Sequence, residues 1–215
     1  MKLEDQQQRF EKNWEKQRPL FGTKSWAKDP NFLFFIEIPL PLELRTEMEQ
    51  ISQELAACVK QKGLWVSPAK MRITVALPGR MGVHFQGNEE GFMKKKLEAL
   101  TQEFPPFELS LGDVNCFPEV LFREVYDEGR HLLRLHQRIS EEIPFAQNPE
   151  FQHEHFLPHI SLFYGEGNPA LFDHPAFARK RKPTKMKVDR LFFGKARDDK
   201  EEYEKHILEE FKFLS

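Results

Sequence analysis

Cysteine is nearly absent from this chain: Cys58 and Cys116 are the two thiols among 215 residues. Thiols so few and so far apart support neither a disulfide framework nor a four-thiolate zinc site, so both are expected to be buried. Long apolar runs are missing as well. No stretch approaches the roughly 20 residues a membrane helix needs, and Met1-Lys2-Leu3-Glu4-Asp5-Gln6 lacks the apolar centre of a secretory signal. The expected location is therefore cytoplasmic, with no membrane partner. Net charge is small too, since 32 basic and 34 acidic side chains leave −2. Any contact with nucleic acid has to be local, because no global field favours it. What the chain does hold in excess is phenylalanine, 21 residues, a composition suited to strands and aromatic packing. Its length allows a sizeable core, and one compact monomeric unit is expected.

Leu3, Phe10 and Trp14 recur at helical spacing in a charged, Gln-rich segment, which predicts a helix over 3–17 ended by Pro19. Residues 1–30 read as this helical leader and a loop, with Trp26 as an anchor, and 31–215 as a single bilobal domain. Phe32 to Ile38 is a buried strand closed by Pro39 and Pro41. Leu44, Met48, Ile51, Leu55 and Val59 then mark an amphipathic helix over about 41–61. Met71 to Leu77 alternates as a strand that Pro78-Gly79 should break. Beyond it the spacing predicts a helix over 90–103, a strand from Phe107 to Leu111 and another from Val120 to Tyr126. A helix over 129–143 follows, then strands at 157–164, Met186–Gly194 and Tyr203–Phe213.

Chemistry concentrates in Pro158-His159-Ile160-Ser161-Leu162-Phe163-Tyr164-Gly165. Side chains alternate along a strand, so His159 and Ser161 share one face and Ile160 and Leu162 the other. An imidazole titrating near neutrality beside a hydroxyl suits phosphate chemistry. Alone, the pattern is weak. It gains a counterpart when 33–77 is laid over 120–164 at the offset 159 − 72 = 87. Phe35 then meets Phe122, Glu37 meets Glu124, Ile38 meets Val125, Ile73 meets Ile160 and Thr74 meets Ser161. Two copies of one unit, related by a pseudo-twofold axis, would set both motif strands side by side at one cleft.

Two strand motifs of the form His-x-Thr/Ser-x, one per lobe, mark the two-histidine (2H) phosphoesterase superfamily. The sequence resembles its cyclic phosphodiesterase and RNA 2′-5′ ligase-like branches from about Phe32 to the C-terminus. The likeness takes in Trp65-Val66-Ser67-Pro68, the Phe107–Phe117 strand and the closing Tyr203–Leu214 segment. The resemblance implies an α+β, bilobal fold with two concave antiparallel sheets around a central groove and helices outside. It also implies a phosphoesterase acting on 2′,3′-cyclic phosphate or related 2′-phosphoester ends of nucleotides or RNA, with neither cofactor nor obligatory metal. His159, Ser161 and Thr74 would be the catalytic positions, with Tyr164 nearby.

One motif departs from the pattern. Where the family carries its first histidine, this chain has Arg72. A guanidinium cannot act as a base, since its pKa lies above ~12, yet it grips phosphate and neutralises developing charge. The sequence is therefore compatible with an enzyme in which Arg72 supplies charge. Its rivals are a weak or inactive homologue that binds a nucleotide or RNA end as sensor or adaptor and, third, an interaction module engaged through its leader helix. For the missing imidazole the sequence offers His84, His153 and His155, of which His155 has the better parity if the strand runs back through Pro158. The run His153-x-His155-x-x-x-His159 invites a metal reading, against which stands the lack of a thiolate or obvious carboxylate joining the histidine spacing. Phe163, on the His159 parity, could stack on a base or pack in the groove wall. Arg179-Lys180-Arg181-Lys182 reads as a solvated loop that could also track an RNA backbone. Lys94-Lys95-Lys96 reads as a polar helix face.

Overall fold

A computed structural model describes residues 3–21, 32–58, 63–80, 89–143, 156–165, 172–178, 181–198 and 203–214. Five helices are present in these segments: α1 (Leu3–Gln17), α2 (Leu42–Ala56), α3 (Glu89–Thr101), α4 (His131–Glu142) and the single turn α5 (Pro175–Ala178). The strands are β1 (Leu33–Pro39), β2 (Gly63–Trp65), β3 (Arg72–Arg80), β4 (Phe107–Phe117), β5 (Val120–Tyr126), β6 (His159–Gly165), β7 (Thr184–Val188), β8 (Arg190–Asp198) and β9 (Tyr203–Lys212).

All nine strands join one antiparallel sheet in the order β7-β4-β5-β6-β3-β1-β8-β9, with β2 beside β6. The order is symmetric about its middle. On one side β6 is followed by β5, β4 and β7; on the other β3 is followed by β1, β8 and β9. The two expected sheets are thus halves of one sheet, joined where Ile73 pairs with Ile160. The repeat seen in the sequence is realised, but its registers differ. Ile38 faces Ile73, which an offset of 87 would carry to Val125 facing Ile160, whereas Arg123 faces Ile160. A slip of two residues keeps every side chain on its own face, so the alternation survives.

Burial separates the two faces. Ile36, Ile38, Ile73, Val75, Leu121, Val125, Ile160 and Leu162 are all within the main core, at 0–1% exposure. Leu44, Met48, Ile51 and Leu55 of α2 and Leu132, Leu135 and Ile139 of α4 join them there. The helices tie the halves crosswise: Glu47 on α2 pairs with the buried Arg123 of β5, and His136 on α4 donates from Nδ1 to the Val75 carbonyl of β3 at 2.7 Å. His136, stacked on Phe156 at 4.1 Å, is a core histidine whose Nδ1 is satisfied by backbone.

Two strand boundaries differ from expectation. Pro78-Gly79 does not end β3: Gly79 takes φ 146°, a value L side chains avoid, and register shifts opposite Phe34–Glu37 absorb the irregularity while pairing continues to Leu33–Arg80. The predicted Met186–Gly194 strand is two strands in opposite halves, β7 against β4 and β8 between β1 and β9, with Asp189 as the break. Its carbonyl accepts from the Phe213 N–H and its carboxylate pairs with Arg190. Cys116 is buried, but Cys58 is half-exposed at the end of α2, where apolar burial stops.

Candidate functional site

With Ile73 and Ile160 paired and fully buried, their sequence neighbours must point to the opposite, concave side. Antiparallel register then puts Arg72 beside Ser161 and Thr74 beside His159, across the seam between the halves. All four side chains keep partial exposure. The structure therefore brings together on one face the residues expected to act together. Their flanks are set by the adjoining strands: Glu37 of β1 faces Thr74, while Phe122 and Glu124 of β5 face Ser161 and His159.

His159 is held in one tautomer. Its Nδ1 lies 2.8 Å from the Leu157 carbonyl, which accepts but cannot donate, so Nδ1 carries the proton and Nε2 of the neutral ring is left basic. The ring rests against Phe117 and Phe122, with centroids 5.1 and 5.0 Å away. Burial pulls its pKa below the ordinary histidine value, which outweighs the opposing pull of the carbonyl and favours the neutral form.

Arg72 sits in an ionic cluster. Its Nε lies 2.8 Å from Glu37 Oε2, a charge contact whose N–H is not aimed at the oxygen, and its Nη1 donates to the Lys70 carbonyl at 2.8 Å. The other Glu37 oxygen takes Lys205 Nζ from β9 at 2.5 Å. Both cations lie over the Phe35 ring, at 5.7 and 4.9 Å from its centroid. Glu37 itself is 2% exposed.

The second half meets its carboxylate differently. Glu124 accepts from Asn115 Nδ2 at 2.7 Å, the Tyr126 hydroxyl at 2.5 Å and the Asp113 N–H at 3.3 Å. Burial raises its pKa, and these three donors work against the rise. Asn115 also donates to the Phe10 carbonyl and accepts from Asn13, binding the network to α1. Gln6 exchanges two hydrogen bonds with the Asp127 backbone at 2.6 and 2.7 Å, and Phe10, 2% exposed, packs on Phe122 and edge-on to Tyr126. The leader helix therefore lies on the concave face beside His159, an exception to the expectation that helices stay outside. Phe10 and Trp14 of its predicted stripe do pack, the latter on Phe172 at 4.6 Å. Gln6 and Asn13 share that face at i, i+4 and i+7 about Phe10 and are buried, a signal invisible to a purely apolar count. A cavity lined by Gln6, Arg9, Phe10, Arg130, Phe156 and Leu157 opens beside α1 at the lead-in to β6; it contains none of the four motif side chains.

Phe163 does not face the groove. β6 carries one extra residue between Ser161, opposite Phe122, and Phe163, opposite Leu121. This bulge puts Leu162 and Phe163 both into the core at 0% exposure, with Phe163 against Trp65 at 4.9 Å. No ring face remains for a base. The same shift turns Tyr164 to the concave side, against the cluster of Phe10, Val120 and Phe122. Of the basic run, Arg181 is not solvated: its side chain is 9% exposed, pairs with Glu54 at 3.1 Å, and its N–H donates to Asp113. Lys94 and Lys96 form surface pairs with Glu90 and Glu142, as a polar face should. His84, His153, His155, Trp26, Arg179 and Lys180 lie outside the described residues. Among the described residues no three His, Cys, Asp or Glu side chains gather as a metal site, and no helix is long and apolar enough to cross a membrane.

Residues 73–200 match the 2′-5′ RNA ligase superfamily, more than half of the 215-residue chain and including Thr74, His159 and Ser161. The chain belongs to this superfamily. Arg72 lies one position before the matched segment. Solved structures carry the same fold: LigT of E. coli complexed with 3′-AMP gives a TM-score of 0.61 at 19% identity over 86% of this chain and 99% of that one. LigT complexed with phosphate gives 0.59 at 18% identity, over 88% and 100%. TT0787 of Thermus thermophilus also gives 0.59 at 18%, over 85% and 98%. No curated protein matches the chain.

Proposed function

We propose that the protein is a phosphoesterase acting on 2′,3′-cyclic phosphate or related 2′-phosphoester ends of a nucleotide or RNA. The observation that carries this reading is the seam itself: two hydroxyls, a basic imidazole nitrogen and a guanidinium on one face of two paired strands. In this reading the Thr74 and Ser161 hydroxyls donate to non-bridging phosphate oxygens, and Arg72 neutralises the charge that grows on them in the transition state. His159 Nε2 takes the proton of the attacking water, the new P–O bond forms, and the bond to a ribose oxygen breaks. The proton of the attacking water and the charge on the phosphate are both assigned to side chains, so the chemistry is written without a metal. Support comes from superfamily membership and from the nucleotide that E. coli LigT holds in its complex with 3′-AMP.

Incubation with 2′,3′-cyclic AMP and with 2′-5′-linked oligonucleotides tests the reading. Turnover is expected, with a loss of ~10²–10⁴-fold in His159→Ala. Because burial lowers the pKa of His159, the base is neutral above that value, and the acid limb of kcat/KM should fall below pH ~6.5 and vanish in the variant. Arg72 in place of an imidazole favours a second reading, a nucleotide-end sensor. Binding without turnover, together with a large gain of activity in Arg72→His, would establish that reading instead.

A further inference from the structure

The reaction written above leaves one proton unassigned. When the ribose oxygen departs it needs a donor, and the guanidinium of Arg72, which holds its proton too tightly, cannot be one. The concave face of the β3-β1-β8-β9 half carries, among the described residues, a group that can. Lys205 projects from β9 onto the Glu37–Arg72 cluster, its ammonium 2.5 Å from Glu37 Oε1 while Arg72 Nε stands 2.8 Å from Oε2 of the same carboxylate. One carboxylate thus holds the two cations side by side, and Thr74 faces it across the β1–β3 ladder.

We propose that Lys205 is the general acid of this site, taking the role the absent histidine leaves open; the inference rests on the phosphoesterase reading. His159 Nε2 accepts the proton of water as its oxygen bonds to phosphorus. The P–O bond to the ribose oxygen breaks with its electron pair, and the Lys205 ammonium gives that oxygen a proton. Lys205 ends as a neutral amine and His159 as an imidazolium, and proton exchange with water restores both. No oxidant or further reactant is required.

The surroundings fit a lysine that gives up its proton more readily than an exposed one. Its side chain is 16% exposed and its ammonium lies 4.9 Å from the Phe35 ring centroid. Burial lowers its pKa, and the charges of Arg72 and of Arg45 on α2 lower it further, against the opposing pull of Glu37. The positioning is long-range: Glu37 and Lys205 are 168 residues apart and meet because β8 pairs with both β1 and β9.

The test is kcat against pH for 2′,3′-cyclic AMP in the wild type, Lys205→Arg and Lys205→Met. A general acid predicts a basic limb in the wild type, lost in both variants, and a fall of ~10²–10⁴-fold in Lys205→Arg despite the retained charge. Lys205→Arg keeps a cation for Glu37 and carries the test if Lys205→Met does not fold. Activity of Lys205→Arg within about threefold of the wild type, or an unchanged basic limb, overturns the role of Lys205 while leaving the phosphoesterase standing. A folded wild type without turnover overturns the phosphoesterase reading itself, and this inference with it.

Discussion

The two halves of the sheet present the same residue at the same place in the repeat and treat it in opposite ways. Glu37 and Glu124 are both buried glutamates on the concave side, one strand out from the seam. Glu37 is met by two cations, Glu124 by an amide, a phenol and a backbone N–H. One half is ionic and open to chemistry with charge; the other is neutral, aromatic and roofed by α1. His159 stands in the neutral half, where burial keeps its ring uncharged, and Arg72 stands across the seam in the ionic half. The comparison teaches that the half holding Arg72 is organised around cations while the half holding His159 is not, so the site is asymmetric in charge although nearly symmetric in backbone.

The strongest way to break this contrast is to unlatch the roof. Phe10→Ala removes a buried ring from the cluster with Phe122 and Tyr126 and should cost ~3–5 kcal/mol, read as a lowered urea midpoint. A loss below ~1 kcal/mol would mean that α1 merely lies on the surface. Glu37→Gln acts on the ionic half. It leaves Arg72 and Lys205 facing each other without their carboxylate, and should cost about 3 kcal/mol of stability, somewhat below the loss for a fully buried pair because both cations keep some exposure. An unfolding midpoint equal to wild type would show that the cluster is loosely held.

Much of the architecture was legible because burial is one-sided. Alternation in Met71–Leu77 and 157–164 marks both motif strands, and the offset of 87 sets them side by side, as the Ile73–Ile160 pair does. What failed is what alternation cannot encode. A bulged residue in β6 exchanges the faces of Phe163 and Tyr164, and nothing in Leu162-Phe163-Tyr164 marks where a strand takes an extra residue. Asp189 splits one apolar-looking run into two strands in opposite halves because its partners, the Phe213 N–H and Arg190, combine a distant element with a near neighbour. Glu37 was visible as a match to Glu124, but its charge partner Lys205 was not, since a contact spanning 168 residues leaves no local pattern. The leader's role was half legible: Phe10 and Trp14 announced a helix, while the buried Gln6 and Asn13 that fix where it docks look like ordinary surface residues.

The central claim is that side chains from both halves hold one phosphate at the seam. A double-mutant cycle on Arg72→Met and Ser161→Ala, read as the Kd for 2′-AMP by calorimetry, tests it most directly, because register sets these two residues side by side. Groups sharing one phosphate should couple by ~0.5–3 kcal/mol. Losses that add to within ~0.3 kcal/mol would show two independent positions and contradict the shared site.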